Sequence, residues 1–184
     1  MRRLLIGGAT LMAALIGLSG SARAQSAQTL PIPGYEAAKD LPGAKELPDP
    51  SMTYKVVFDI GKGASKVDEV NPGLIGVARY LNTLAKNGVP ADHREIAVVF
   101  HQDGTEIVQN NEAFKARNGG HDNPNIAVIQ SMKKAGVDLR VCGQGVLAKK
   151  IDPKTIQPEI QVDLWALTTL VNLQLRGYVH VGLN

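Results

Sequence analysis

The only cysteine of the chain, Cys142, follows a run with the character of a β-strand and precedes a glycine-rich turn. The run is Val137 to Val141, and the turn is Gly143-Gln144-Gly145. If a helix begins at this turn, its backbone N–H groups would stabilise a thiolate, which is the species that attacks sulfur or binds metal. The alternative is a buried thiol that packs as a small hydrophobic residue. The residue types and their spacing leave both interpretations open.

Other polar side chains follow the strands that we predict elsewhere in the chain. Asp59 lies near the end of the first strand, and His101 and Gln102 follow the second. Sites in open parallel sheets form beyond the carboxyl ends of the strands, so we expect these side chains on the same edge as Cys142. His101 is a candidate proton donor, while Asp59 and Gln102 are candidate substrate contacts. The alternative for each is an ordinary residue of a strand end or turn.

Several other kinds of chemistry find little support in the sequence. Cys142, His101 and His180 are conceivable metal ligands, but the chain lacks the close ligand spacing of a metal site. The Gly-x-Ser-x-Gly pattern of hydrolases is missing, and Gly61-Lys62-Gly63 lacks the remaining residues of a phosphate loop or dinucleotide fingerprint. We therefore expect no cofactor and no bound metal.

Strand and helix signals alternate along the chain, which predicts βαβ units, a parallel sheet and helices on both of its faces. The helix predicted at Asp163–Arg176 is apolar on more than one side, so we expect it to be buried in the domain or against a partner subunit. The predicted strands are Tyr54–Ile60, Glu95–His101, Val137–Val141 and Tyr178–Val181. The other predicted helices run from Pro72 to the stop at Gly88, over Thr105–Arg117, from Asn123-Pro124 to Gly136, and over Gly143–Lys150.

The N-terminal region has the pattern of an export signal followed by a linker. A basic start, an apolar run from Leu4 to Leu18 and a small-x-small site predict a signal peptide over 1–24, cleaved after Ala24. Residues 25–52 hold five of the ten prolines and predict a leader that is either extended along a neighbour or disordered. The remaining residues, 53–184, form the predicted α/β domain.

Signal cleavage removes the basic excess of the chain. Three of its 20 lysines and arginines lie within the signal and none of its 17 acidic residues does, so the mature protein is formally neutral. This balance gives no support to binding of nucleic acid or of an anionic membrane. The export signal predicts a periplasmic protein.

The sequence resembles the DsrE/DsrF-like family, in its exported branch. The resemblance rests on the opening strand, on Val98-Val99-Phe100-His101, on 125–139 leading into Val141-Cys142-Gly143-Gln144, and on the closing segment 170–181. It implies a flavodoxin-like three-layer α/β/α fold that assembles into trimers or hexamers. It also implies that Cys142 accepts sulfane sulfur as a persulfide.

The leading hypothesis is a periplasmic carrier of sulfane sulfur, closer to a sulfurtransferase-like carrier than to a turnover enzyme. In this hypothesis Gly143 and Gln144 position and stabilise the sulfur anion, His101 gives a proton, and the donor and acceptor are unknown. The alternative is a non-catalytic oligomeric module that binds a small ligand or metal at the carboxyl edge of the sheet.

Overall fold

A computed structural model describes residues 30–183 of the chain. Within these residues five strands, all parallel, form one sheet in the order β4-β3-β2-β1-β5. The sequence predicted β1, β2, β3 and β5 to within one residue, and it missed β4. The strands are β1 (Tyr54–Ile60), β2 (Arg94–Phe100), β3 (Asp138–Cys142), β4 (Gln161–Asp163) and β5 (Val179–Gly182).

The helices pack on both faces of the sheet, as the alternating pattern predicted. Leu74, Val77 and Leu81 of α1 and Ile129 of α3 belong to a core on one face, and α5 covers the other face with Leu170 and Leu173. The architecture is therefore the predicted three-layer α/β/α fold. The helices are α1 (Pro72–Lys86), α2 (Asn111–Arg117), α3 (Ile126–Lys134), α4 (Gly143–Ala148) and α5 (Ala166–Leu175).

The helix predicted over Thr105–Arg117 is wrong in its first half. Residues Gln102–Val108 form a 3₁₀ helix, and α2 begins only after Asn110, whose side chain accepts a hydrogen bond from the Ala113 N–H. Between them the chain is extended, because Gln109 forms a β-bridge with Ile156 and the Asn110 N–H donates to Thr155. A contact across more than forty residues thus interrupts the helix that local preference favours.

The helix predicted from Asp163 begins three residues later, at Ala166. Asp163 ends the edge strand β4, and Trp165 keeps an extended backbone before the helix. The Asp163 carboxylate accepts hydrogen bonds from Thr169, Gln161 and Arg140. Burial raises the pKa of this carboxyl, but the three donors outweigh burial and hold the pKa below its usual range. Asp163 therefore ties β4 to the first turn of α5 as a carboxylate.

The described part of the leader packs on the domain. Ile32 is fully buried in the core beside α1. The fully buried Asn82 side chain of α1 accepts from the Ile32 N–H and donates to the carbonyls of Ile32 and Tyr35. Farther along, Lys86 pairs with Asp40 at 2.7 Å. The part of the leader near Ile32 thus packs against its own domain, in a segment of bends and a turn over residues 31–34.

The predicted signal peptide, 1–24, lies outside the described residues. Of the helices in the described part of the chain, none is long and apolar enough to cross a membrane.

Candidate functional site

The Cys142 sulfur lies where two helices begin. Cys142 ends β3 and precedes the first residue of α4, and its Sγ accepts a hydrogen bond of 3.3 Å from the N–H of Ala166, the first residue of α5. An N–H donor stabilises a thiolate more than a neutral thiol, because the bond to a charged acceptor is stronger. The Ala166 N–H is therefore placed to donate to a negative charge on the sulfur.

Cys142 is buried but borders an open cavity. Only 5% of the residue is exposed, yet it lines a cavity of about 440 Å³. His101, Gln102 and Gln144 lie on the same cavity, so the structure brings four of the predicted site residues together. Most of the lining residues besides Cys142, His101 and Gln102 are apolar. These other lining residues are Gln144, Gly145, Ala148, Trp165, Ala166, Leu167 and Leu170.

The turn after the cysteine makes close contacts with the segment that enters α5. A Cβ atom on Gly143 would lie 2.6 Å from the Asp163 carbonyl oxygen, so only glycine lets that backbone approach. The Gln144 amide donates to the Leu164 carbonyl at 3.2 Å. Gly143 and Gln144 therefore hold the segment whose Ala166 N–H reaches the sulfur, and Gln144 also borders the cavity.

The His101 ring packs against the backbone of the loop after β1. A Cβ atom on Gly61 would lie 2.9 Å from the His101 ring, so the close approach of this ring explains the first glycine of Gly61-Lys62-Gly63. Gln102 follows with a left-handed backbone, φ 47°, a conformation that costs free energy for a residue with a side chain. The chain thus bends sharply just where His101 and Gln102 meet the cavity.

Asp59 lies beside His101 and does not line the cavity. Its Oδ2 is 3.6 Å from Nε2 of His101 and 3.2 Å from Nε2 of His180, and its Oδ1 is buried without a hydrogen-bond partner among the described residues. The expectation for Asp59 was contact with substrate, whereas its position suits orientation of His101. The sequence left the role of His180 open, because nothing local places β5 beside β1.

No metal centre is formed by the described residues. Among them, no group of three or more His, Cys, Asp and Glu side chains could hold a metal ion. The conceivable set of Cys142, His101 and His180 is accordingly not assembled in this part of the chain.

A separate cavity of about 530 Å³ borders the loop after β1 and carries charge of both signs. Lys62, Lys66 and Lys149 line it. Lys149 pairs with Asp103 at 3.2 Å and with Glu106 at 3.3 Å. Neither Cys142 nor His101 borders this cavity, so its lysines do not belong to the thiol site.

The protein has a parallel sheet between two layers of helices, and a thiol lies at the carboxyl end of the interior strand β3. These features define a flavodoxin-like fold with a site at the carboxyl edge of the sheet. The model of the DsrE/DsrF-like family matches residues 55–182, and the chain belongs to that family. Membership indicates a function related to sulfur relay. No curated protein matches the chain significantly.

Among solved structures, the chain is similar to a protein of unknown function from Methanobacterium thermoautotrophicum. The two share 18% identity with a TM-score of 0.51, and the match covers 70% of this chain and 98% of the other. At this identity the likeness supports the fold alone.

Proposed function

We propose that the protein is a carrier of sulfane sulfur that holds the sulfur as a persulfide on Cys142. The observation that carries the proposal is the Cys142 Sγ, which accepts the Ala166 N–H at 3.3 Å and borders a cavity of about 440 Å³. The Ala166 N–H can donate to the sulfur when it carries negative charge, and the cavity has room for a second sulfur and the group that delivers it. Family membership supports the same chemistry.

The transfer is a thiol exchange in two steps. The Cys142 thiolate attacks the outer sulfur of a donor R–S–SH, the donor S–S bond breaks, and R–S⁻ leaves with its electron pair. His101, on the same cavity, gives a proton to the leaving thiolate and regains one from solvent. An acceptor thiolate then attacks the outer sulfur of Cys142–S–SH and restores the Cys142 thiolate. No outside oxidant or reductant is consumed.

Asp59 is the positioning residue for His101 in this proposal. Its carboxylate lies 3.6 Å from Nε2 of His101 and so favours the tautomer with a proton on that nitrogen. His180, at 3.2 Å from the same oxygen, holds the carboxylate from the other side.

We extend the proposal to an exported homo-oligomer, a trimer or hexamer. The predicted signal peptide over 1–24 supports a periplasmic location. Leu167, Val171 and Leu175 recur every fourth residue on α5 and are 53%, 45% and 81% exposed, and Leu164 and Trp165 extend this apolar stripe. A continuous apolar surface of this kind is typical of a protein–protein interface.

The experiment is mass spectrometry of the folded protein after incubation with a small organic persulfide. We expect the mass of one sulfur atom to be added to Cys142, and loss of that sulfur to an added thiol. Cys142→Ser is the matched control, because Cys142 is the only cysteine and the variant must gain nothing. If Cys142 reacts with an alkylating agent in the folded protein but never gains sulfur, the carrier proposal fails and a non-catalytic binding module replaces it.

A further inference from the structure

We propose that the sulfur donor is an uncharged organic persulfide and that the cavity disfavours anionic donors such as thiosulfate. This inference rests on the proposed function, since it assumes that Cys142 accepts sulfur. It concerns the charge of the group that enters the cavity. The reaction at the sulfur is the one described above.

The lining of the Cys142 cavity contains no cation of its own. Among the described residues, neither lysine nor arginine borders it. Trp165, Leu167 and Leu170 form an apolar wall, with Ala148 nearby. An anion that entered would lose water and gain no charged partner, which is costly. An uncharged organic group would bury apolar surface against the same wall.

Two basic side chains that are close to Cys142 in the sequence are held elsewhere. Arg140 precedes Cys142 by two residues on β3, but Asp138 at 2.7 Å and Asp163 at 3.1 Å bind it, and it lines a different cavity. Lys149 follows α4, but it pairs with Asp103 and Glu106 and borders the lysine-lined cavity. Both cations are therefore already neutralised by carboxylates of this chain.

Two further sources of positive potential are also engaged. A proton on His101 would be balanced by the Asp59 carboxylate at 3.6 Å, which His180 also approaches. The first N–H of α5, that of Ala166, is donated to the Cys142 sulfur itself. The thiolate therefore takes the positive end of the helix, and an anionic donor would meet a like charge there.

Thiosulfate illustrates the difference in charge. Attack by the thiolate on its outer sulfur would form the Cys142 persulfide anion and release sulfite, so three negative charges would meet in the cavity. With a neutral persulfide only one negative charge is present throughout, and it moves from Cys142 to the leaving thiolate. The same cavity can therefore admit one donor and reject the other on charge alone.

The test compares two donors that differ by one carboxylate: the persulfide of N-acetylcysteine and the persulfide of its methyl ester. The rate of sulfur gain on Cys142 is measured for each donor by mass spectrometry, with folded protein and with protein unfolded in urea. We expect the ratio of ester rate to acid rate to be on the order of tenfold higher in the folded protein, since like charges several ångströms apart repel by about that much. Thiosulfate should be slower than either persulfide.

Ala148 offers a place for a positive charge on the cavity wall. It borders the cavity, is exposed and lies outside the apolar stripe of α5, so a longer polar side chain can be accommodated. Ala148→Arg should bring the ratio of ester to acid rates close to that of the unfolded chain, and Ala148→Gln should leave the wild-type ratio.

Three outcomes count against the inference. Equal ratios in folded and unfolded wild-type protein would overturn it while the carrier function stands. Equal ratios in Ala148→Arg and Ala148→Gln would overturn the electrostatic reason for it. If neither persulfide modifies folded Cys142, the proposed function fails first, and the donor preference falls with it.

Discussion

Replacing Gly143 by alanine tests whether the turn after Cys142 holds α5 against the sulfur. The new Cβ would lie 2.6 Å from the Asp163 carbonyl oxygen, and real Cβ atoms essentially never approach closer than 3.0 Å. The Asp163 backbone must therefore move by at least about 0.4 Å. Asp163 is fixed by Thr169, Gln161 and Arg140, so the movement strains several hydrogen bonds at once.

We expect Gly143→Ala to lower the free energy of unfolding by about 1–3 kcal/mol, the usual cost of overpacking a well-filled site. For a domain of this size each kcal/mol corresponds to roughly 2–4 °C in Tm. Denaturant titration gives the free energy. Hydrogen exchange of the Ala166 amide gives the local effect: the exchange should be faster than in wild type, because the displaced segment carries this amide away from its sulfur acceptor.

Gly63→Ala is the matched control. Its Cβ would have as its nearest neighbour the Asp103 Cβ at 3.8 Å, an ordinary contact, so it should change neither measurement by much. The reasoning is refuted if Gly143→Ala keeps wild-type stability and wild-type exchange of the Ala166 amide. It is also refuted if Gly63→Ala costs as much.

Three further predictions concern the leader, acid stability and assembly. Asn82→Ala should cost about 1–3 kcal/mol and speed proteolysis of the leader, because it leaves buried backbone groups unpaired; unchanged cleavage would contradict the packing. Because the pKa of Asp163 is lower in the folded protein than in the unfolded chain, its carboxylate stabilises the fold at pH values above the pKa of the unfolded state. This stabilisation is lost as the pH falls through the pKa of the folded state. Wild type should therefore lose stability on acidification below about pH 4 more steeply than Asp163→Asn in denaturant titrations; parallel curves would refute this. Val171→Glu should reduce the mass in light scattering to that of a monomer, whereas Leu47→Glu, at an exposed leucine outside α5, should not; a full-size Val171→Glu assembly would exclude this interface.

Elements with strong local patterns could be predicted from the sequence. The apolar run of β1 and the Asn71-Pro72 start of α1 need only near neighbours in the chain, and both are where the pattern placed them. The strand β4 has three residues and lies at the sheet edge, so it has too little pattern to detect. The helix predicted from Thr105 failed because the bridge between Gln109 and Ile156 is a long-range contact.

The candidate site was predictable as a location and less so in its contacts. The rule for parallel sheets correctly placed Cys142, His101 and Gln102 on one cavity. It did not reveal that the sulfur accepts from Ala166, since the start of α5 depends on β4. It also could not pair Asp59 with His180, because that contact follows from the strand order.

Short strands at both edges of the sheet have a consequence for solubility. β4 has three residues and β5 has four, against seven in each of β1 and β2. An edge this short presents few unpaired backbone groups, so it is a poor template for adding strands from other chains. The apolar stripe on α5 can then drive association only through side chains. Copies of this protein should accordingly not associate edge to edge through their sheets, even at high concentration.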